Sequence, residues 1–295
     1  MEIHIVENCG LCAGCKLAIN TAKELLEKNE NVTIFKEIVH NKNVNKMLEQ
    51  LGADFEEDIN KLNSNSVVII RAHGEPPATY DILKEKNISF KDCTCFNVKR
   101  IHEQVVKFHN LGYSIIIIGK HKEVLHPEVL GTLGWSNNEA IIVQDEEDLK
   151  EIEKINNKSY VVCQTTFNIK KAESLICEIE KIFKTKGLEL VVNKSICPSN
   201  ELINLNSGKL ANGCDLMIVV GGKNSSNTKE LFNNLKQICP TVFVENIYDY
   251  KQELKNENIV LMDEMKIGLT AGASTMKEEL EELKNLILTD CVVKI

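Results

Sequence analysis

Three cysteines, Cys12, Cys95 and Cys197, lie far apart in the chain, and each falls where an apolar, strand-like run gives way to a helix-like pattern. Their separation rules out a local metal loop. It fits a chain whose similar α/β units each deliver one thiolate to a common point. Three thiolates at a 4Fe–4S cluster leave one iron without a protein ligand, and that iron can act as a Lewis acid on a substrate.

Elements able to position such residues recur along the chain. Strand-like runs are EIHIV, VTIFKEI, SVVIIRA, SIIIIG, AIIVQ, SYVVCQ, LELVVN, CDLMIVVGG, TVFVEN and KIGLT. Between them, LAINTAKELLEKN, VKRIHEQVVKFHNLG, KKAESLICEIEKIFKTKG and TKELFNNLKQIC space their apolar residues at helical intervals, with Gly112 and Gly187 as C-terminal caps. Alternation of this kind predicts parallel sheets with crossover helices, an α/β fold of three similar units. The expected units are residues 1–96, 97–193 and 194–270, with 271–295 packing back on the first unit or at the centre.

Ligands of open α/β sheets bind beyond the carboxyl ends of the strands. The polar residues there are Val39-His40-Asn41, Ala72-His73-Gly74, His126-Pro127-Glu128, Thr165-Thr166, the stretch 223–227 (KNSSN) and the stretch 270–274 (TAGAS).

Composition narrows the function classes. The chain has 295 residues, 43% of them hydrophobic, and a formal net charge of −8. Its lysines are scattered among acids, with no basic stripe to follow a phosphate backbone, so nucleic acid is not an expected partner. No apolar run approaches the length of a membrane span. The start, MEIHIVENCG, does not read as a signal peptide, and the expected location is cytoplasmic. An odd count of 11 cysteines in a long chain argues for metal or cluster binding plus buried thiols rather than disulfides. Cys163, Cys177, Cys214, Cys239 and Cys291 read as small core residues. His4, His102, His109 and His121 read as structural, and the charge run at 145–154 reads as a solvated helix face.

The motifs resemble, in order and through almost the whole length, those of the LytB family of 4-hydroxy-3-methylbut-2-enyl diphosphate reductases. They are CAG at 12–14, VHN at 39–41, AHG at 72–74, Asp92 with Thr94-Cys95, HPEV at 126–129, QTT at 164–166, GGKNSSN at 221–227 and TAGAS at 270–274. The resemblance implies a trefoil of three α/β units around one central 4Fe–4S cluster per chain, held by Cys12, Cys95 and Cys197. It implies reductive removal of an allylic hydroxyl from a small diphosphate, giving isopentenyl and dimethylallyl diphosphate. A ferredoxin or flavodoxin-type donor would supply the electrons, and neither membrane nor nucleic acid would be a partner. Glu128, the only carboxylate of these motifs besides Asp92, is the expected proton donor, with Thr165 as its relay. A carboxyl beside a diphosphate and a reduced cluster should have a raised pKa. His40, His73, His126, Ser225, Ser226, Asn227 and Ser274 are the expected diphosphate anchors, several of them at helix N-termini.

The chain departs from the family pattern around the cysteines. Phe96 follows Cys95 where proline is usual, Cys197 is followed by Pro198-Ser199-Asn200-Glu201, a longer loop precedes HPEV, and Cys9, Cys15 and Cys93 are extra. Two alternatives therefore stand: a related 4Fe–4S reductase with another substrate, and a ferredoxin-type electron carrier using Cys9, Cys12, Cys15 and the remote Cys197. A structural zinc module is a further rival.

Overall fold

The computed structural model describes all residues except His40, Asn224 and 293–295, and leaves the side chains of Ser226, Cys291 and Val292 undescribed. Twelve strands are found among the described residues, in three four-stranded sheets whose paired strands all run parallel. The chain divides into two compact units, one of residues 1–16, 39–51 and 198–295, the other of 17–38 and 52–197.

The second unit carries two of the sheets. One orders β3 (Asp54–Glu56), β2 (Val32–Phe35), β4 (Val67–Ile70) and β5 (Phe90–Asp92). The other orders β7 (Ile141–Val143), β6 (Ser114–Ile118), β8 (Ser159–Cys163) and β9 (Leu190–Asn193). Runs such as SIIII and SYVVC are buried along almost their full length, as expected of parallel strands covered on both faces. Helix α4 (Phe96–Asn110) lays Ile101 and Val105 on Ile115, Ile117 and Val162 of the second sheet. Helix α7 (Ile169–Lys186) covers the opposite face with Leu175, Ile179 and Phe183. It ends at Gly187 in the left-handed region, φ +64°, where a side chain would be strained. Helices α3 (Pro77–Glu85), α5 (Pro127–Gly134) and α6 (Leu149–Ile152) complete this unit, and α1 (Ala13–Glu27) enters it from the first.

The first unit holds the sheet β1 (Glu2–Ile5), β12 (Lys266–Ala271), β10 (Leu216–Val220), β11 (Thr241–Val244). Its helices are α2 (Lys42–Gln50), α8 (Pro198–Ala211), α9 (Ser226–Leu235), α10 (Tyr250–Asn256) and α11 (Lys277–Val292). This sheet differs from the expected division of the chain. The N-terminal strand, placed by sequence order with residues 1–96, pairs with β12, with Ile3 opposite Ile267. Helix α11 follows it, since its Leu280, Leu283 and Ile287 share one core with Ile3 and Leu269. Two edge strands, β3 and β5, escape a pattern search because DFE and FKD are short and charged. Cys177, expected in the core, lies exposed on α7. Among the described residues no helix is long and apolar enough to cross a membrane.

Candidate active site

Helix α5 brings a carboxyl group into the interior of the second unit. Pro127 occupies its first turn, where the missing N–H costs nothing, and the His126 ring caps it by accepting the Glu128 N–H at Nδ1, 3.2 Å away. A ring nitrogen that accepts this bond leaves the proton of a neutral imidazole on Nε2. The helix packs down hard on the end of β6: a Cβ on Gly119 would stand 2.5 Å from Val129 Cγ2. Glu128 is thereby buried, at 2% exposure. Its two oxygens meet one residue, Thr165, whose N–H donates to Oε1 and whose hydroxyl donates to Oε2, both at 2.6 Å. Burial pushes the Glu128 pKa up to about 7, against the opposing pull of the two Thr165 bonds. Gln164 shapes the turn after β8, accepting from Lys120 N at 3.0 Å and donating to Thr166 Oγ1 at 2.7 Å. Thr165, not Thr166, is the residue turned to the carboxyl.

His73, in the loop after β4, sets its ring edge-on to that of His126, with centroids 5.6 Å apart and planes at 78°. This loop is clamped by groups that pattern reading missed. Glu75, 1% exposed, accepts from Arg71 Nε at 3.0 Å and from Lys36 Nζ at 2.8 Å, while Trp135 Nε1 donates to its carbonyl at 3.1 Å. Gly74 is left-handed at φ +74°, and a Cβ there would meet His102 Cε1 at 2.7 Å. The available signal was an Arg and a Glu four apart, flanking AHG.

Cys95 and Cys197 are tied to the same loops. Cys95 is the N-cap of α4, and its N–H donates to Ala72 O at 3.0 Å. The Cys197 N–H donates to Thr165 O at 2.8 Å, and Asn97 Nδ2 donates to Cys197 Sγ at 3.4 Å. Asn97 went unnoticed in the sequence, although it sits two residues past Cys95. Asp92 has a different role from Glu128: it accepts Thr94 N at 3.0 Å and Thr94 Oγ1 at 2.5 Å and pairs with Lys99 at 2.8 Å. Burial alone would raise its pKa, but Lys99 and Thr94 outweigh this and hold it below the usual range. Asp92 is a fixed anion that shapes the Cys95 turn. Glu128 is a carboxyl able to carry a proton near neutral pH.

The first unit holds the remaining expected residues. Cys12 follows β1 and precedes α1, with its N–H donating to Ala273 O at 3.1 Å. The Cys15 thiol, with backbone N–H groups in the first turn of α1, pulls the Cys12 pKa down to about 6 against the effect of burial. Ser225 is the N-cap of α9, its hydroxyl accepting Thr228 N at 3.3 Å, and Asn227 lies in the first turn. Ser274, in the loop after β12, accepts Asn41 Nδ2 on its carbonyl at 3.0 Å. The loops approach closely enough that a Cβ on Gly272 would stand 2.1 Å from Thr228 Oγ1. His40 and the Ser226 side chain lie outside the described residues.

Among the described residues, no three His, Cys, Asp or Glu side chains stand close enough to share one metal ion. The thiolates of a cluster each bind a different iron and so stand farther apart than the ligands of a single ion. By residue type alone, cysteine thiols are the donors that an iron–sulfur cluster takes. Cys12, Cys95 and Cys197 each occupy a strand-to-helix loop, and N–H groups point at Cys12 Sγ from Cys15 N and at Cys197 Sγ from Asn97.

Parallel α/β sheets with a buried, protonatable carboxyl at strand ends, beside histidines and loop thiols, define the class of an acid–base or redox enzyme of the α/β type. The chain belongs to the LytB protein family, whose model matches residues 3–288. It is 37% identical to the 4-hydroxy-3-methylbut-2-enyl diphosphate reductase of Clostridioides difficile, over 96% of this chain and 98% of that one. A solved structure of (E)-4-hydroxy-3-methyl-but-2-enyl diphosphate reductase, described as the terminal enzyme of the non-mevalonate pathway, superposes with a TM-score of 0.75. It is 32% identical, covering 98% of this chain and all of the other. The reductase structure from Plasmodium falciparum gives a TM-score of 0.81 at 31% identity, over 97% of this chain and 87% of that one.

Proposed function

We propose that this protein is a 4-hydroxy-3-methylbut-2-enyl diphosphate reductase, removing the allylic hydroxyl as water and releasing isopentenyl and dimethylallyl diphosphate. The observation that carries the reading is the buried Glu128–Thr165 pair, a proton store set in a family framework whose motifs are present from residue 12 to residue 274. Cys12, Cys95 and Cys197 would hold one 4Fe–4S cluster per chain. When bound, such a cluster supplies electrons and, with an iron free of protein ligand, polarises a C–O bond.

The protein's own groups supply the proton and the anchor. Ionised Glu128 accepts both Thr165 donors. When Glu128 is protonated at Oε2, its O–H donates to Thr165 Oγ1, and the threonine hydroxyl is released to donate onward to a departing oxygen. A pKa of about 7 keeps roughly half of the carboxyl protonated at neutral pH, as a general acid requires. His126, with its proton on Nε2, and His73 beside it offer donors to a diphosphate oxygen. Ser225, Asn227 and Ser274 add short polar side chains, the first two at a helix N-terminus that favours anions, and His40 and Ser226 complete the proposed anchor. The electron donor would be a ferredoxin or flavodoxin-type protein, and the place of action the cytoplasm.

The test is anaerobic turnover of the hydroxylated diphosphate with reduced viologen, using protein of measured iron and acid-labile sulfide content. Oxidation of viologen with formation of the two five-carbon diphosphates is expected. Protein with a full cluster that fails to turn this substrate over would overturn the assignment in favour of a related reductase.

A further inference from the structure

We propose that Cys12 and Cys15 form a reversible redox pair that closes to a disulfide in the cluster-free chain and withdraws Cys12 from cluster assembly. This rests on the proposed ligand role of Cys12. Cys12-Ala13-Gly14-Cys15 is a C-x-x-C segment wrapped on the first turn of α1, the position at which dithiol pairs become reactive. The Cys15 N–H points at Cys12 Sγ, 3.5 Å away, and the Cys12 carbonyl accepts Lys16 N at 2.9 Å, so both thiols sit on the same turn. Residues three apart on a helix hold their Cβ atoms about 5–6 Å apart, whereas a disulfide needs roughly 3.5–4.5 Å. The difference is small, and Cys12 lies just outside the helix. Both thiols are partly exposed and open to a small oxidant. Cys9, the other nearby thiol, packs against the buried cores on the β1–β12–β10–β11 sheet.

The chemistry balances with a small disulfide such as oxidised glutathione. Cys12 sulfur attacks one glutathione sulfur and releases the first glutathione thiolate. Cys15 sulfur then attacks Cys12 sulfur, forms the S–S bond and releases the second. Two electrons pass from the pair to the oxidant, and the two thiol protons leave to solvent. A dithiol reductant reverses both steps. Closure keeps Cys12 from irreversible oxidation to sulfinic acid while no cluster covers it.

The experiment uses the full chain stripped of iron by a chelator under anaerobic conditions, treated with oxidised glutathione, alkylated and digested. The expected result is one peptide containing Cys12 and Cys15, lighter by two hydrogens and unalkylated, with iron and sulfide uptake lost until dithiothreitol is added. Cys15→Ser, checked for folding by circular dichroism, should instead carry glutathione on Cys12. Recovery of both cysteines alkylated, or of Cys12 bonded to Cys9, Cys95 or Cys197, would overturn the pair. The two readings separate on iron content: full iron in Cys12→Ser removes the ligand role and the gating with it, whereas the disulfide is read by mass in iron-free protein.

Discussion

Thr165 holds both oxygens of Glu128, its N–H on Oε1 and its hydroxyl on Oε2, each at 2.6 Å. A bidentate grip by one residue fixes the carboxyl plane and also decides where a proton can go. Only Oε2 faces a partner that can both donate and accept, because a backbone N–H cannot accept. In the proposed reaction the proton is expected on Oε2, with the threonine hydroxyl as its route.

Replacing Glu128 by Gln should lower turnover by about 10²- to 10⁴-fold while leaving substrate affinity within a small factor. The amide keeps the shape but has no transferable proton. Anaerobic kcat alongside calorimetric binding checks this, and near-normal kcat would move the proton donor elsewhere.

The same carboxyl makes a pH-dependent contribution to stability. Its folded pKa, about 7, lies above the ordinary 4.5, so between these values the folded chain holds a proton that the unfolded chain has released. The contribution is full below pH 4.5 and is lost as pH rises through about 7, with a total near 3 kcal/mol. Urea unfolding of the parent and of Glu128→Gln from pH 4 to 8 should show the variant gaining by that amount relative to the parent as pH rises. Parallel curves would contradict the raised pKa.

The clamp behind His73 predicts a cost in stability. Glu75 is buried between Arg71 and Lys36, and Glu75→Ala leaves Arg71, itself 5% exposed, without its counter-ion. Loss of one partner of a buried pair costs about 3–5 kcal/mol. Denaturant midpoints should fall accordingly, and Lys36→Ala should cost less because Lys36 is partly solvated. Equal costs for the two would mean that Arg71 is held by something other than Glu75.

Much of this architecture can be read along the chain, for definite reasons. Runs such as SIIII and LMIVV are buried almost along their full length, so a nearly unbroken apolar string marks these inner strands. What escapes is short, charged or distant in sequence. Helix α5 carries two glycines in PEVLGTLG and is held by packing against Gly119 and the loop at Gly74, not by propensity. The pairing of β1 with β12 joins the two ends of the chain, and local periodicity says nothing about which sheet a strand enters. At the site, residue types at strand ends picked out Glu128, Thr165, His73 and His126 as candidates. The contacts of Asn97 and Glu75 depend on neighbours supplied by the fold and have no local pattern.

Iron content should sort the cysteines. Cys12→Ser, Cys95→Ser and Cys197→Ser should each lose most of the iron and sulfide, whereas Cys93→Ser should keep them, since Cys93 is buried at 2% exposure. Asn97→Leu should retain the cluster but lower its reduction potential, because an N–H donated to a thiolate stabilises the reduced, more negative state. Full iron in Cys95→Ser with loss in Cys9→Ser or Cys15→Ser would favour a ferredoxin-type set.

Anchoring and chemistry should also separate. The expected anchors His73, His126, Ser225, Asn227 and Ser274 are donors to oxygen anions, while the departures from the family pattern, Phe96, Asn200 and the extra thiols, fall around the cysteines. Short allylic diphosphates should therefore bind tightly, and the monophosphate and free alcohol much more weakly. Each charge-assisted hydrogen bond lost costs about 1.5–3 kcal/mol, so loss of two contacts already weakens binding by at least about a hundredfold. Calorimetry on the diphosphate and its dephosphorylated alcohol, run beside anaerobic turnover, makes the comparison. Equal affinity for the two would remove the diphosphate from the proposal. Tight diphosphate binding without turnover would keep the anchor and move the reaction to another hydroxylated diphosphate, because the residues proposed to grip the phosphates are distinct from those proposed to hold the proton.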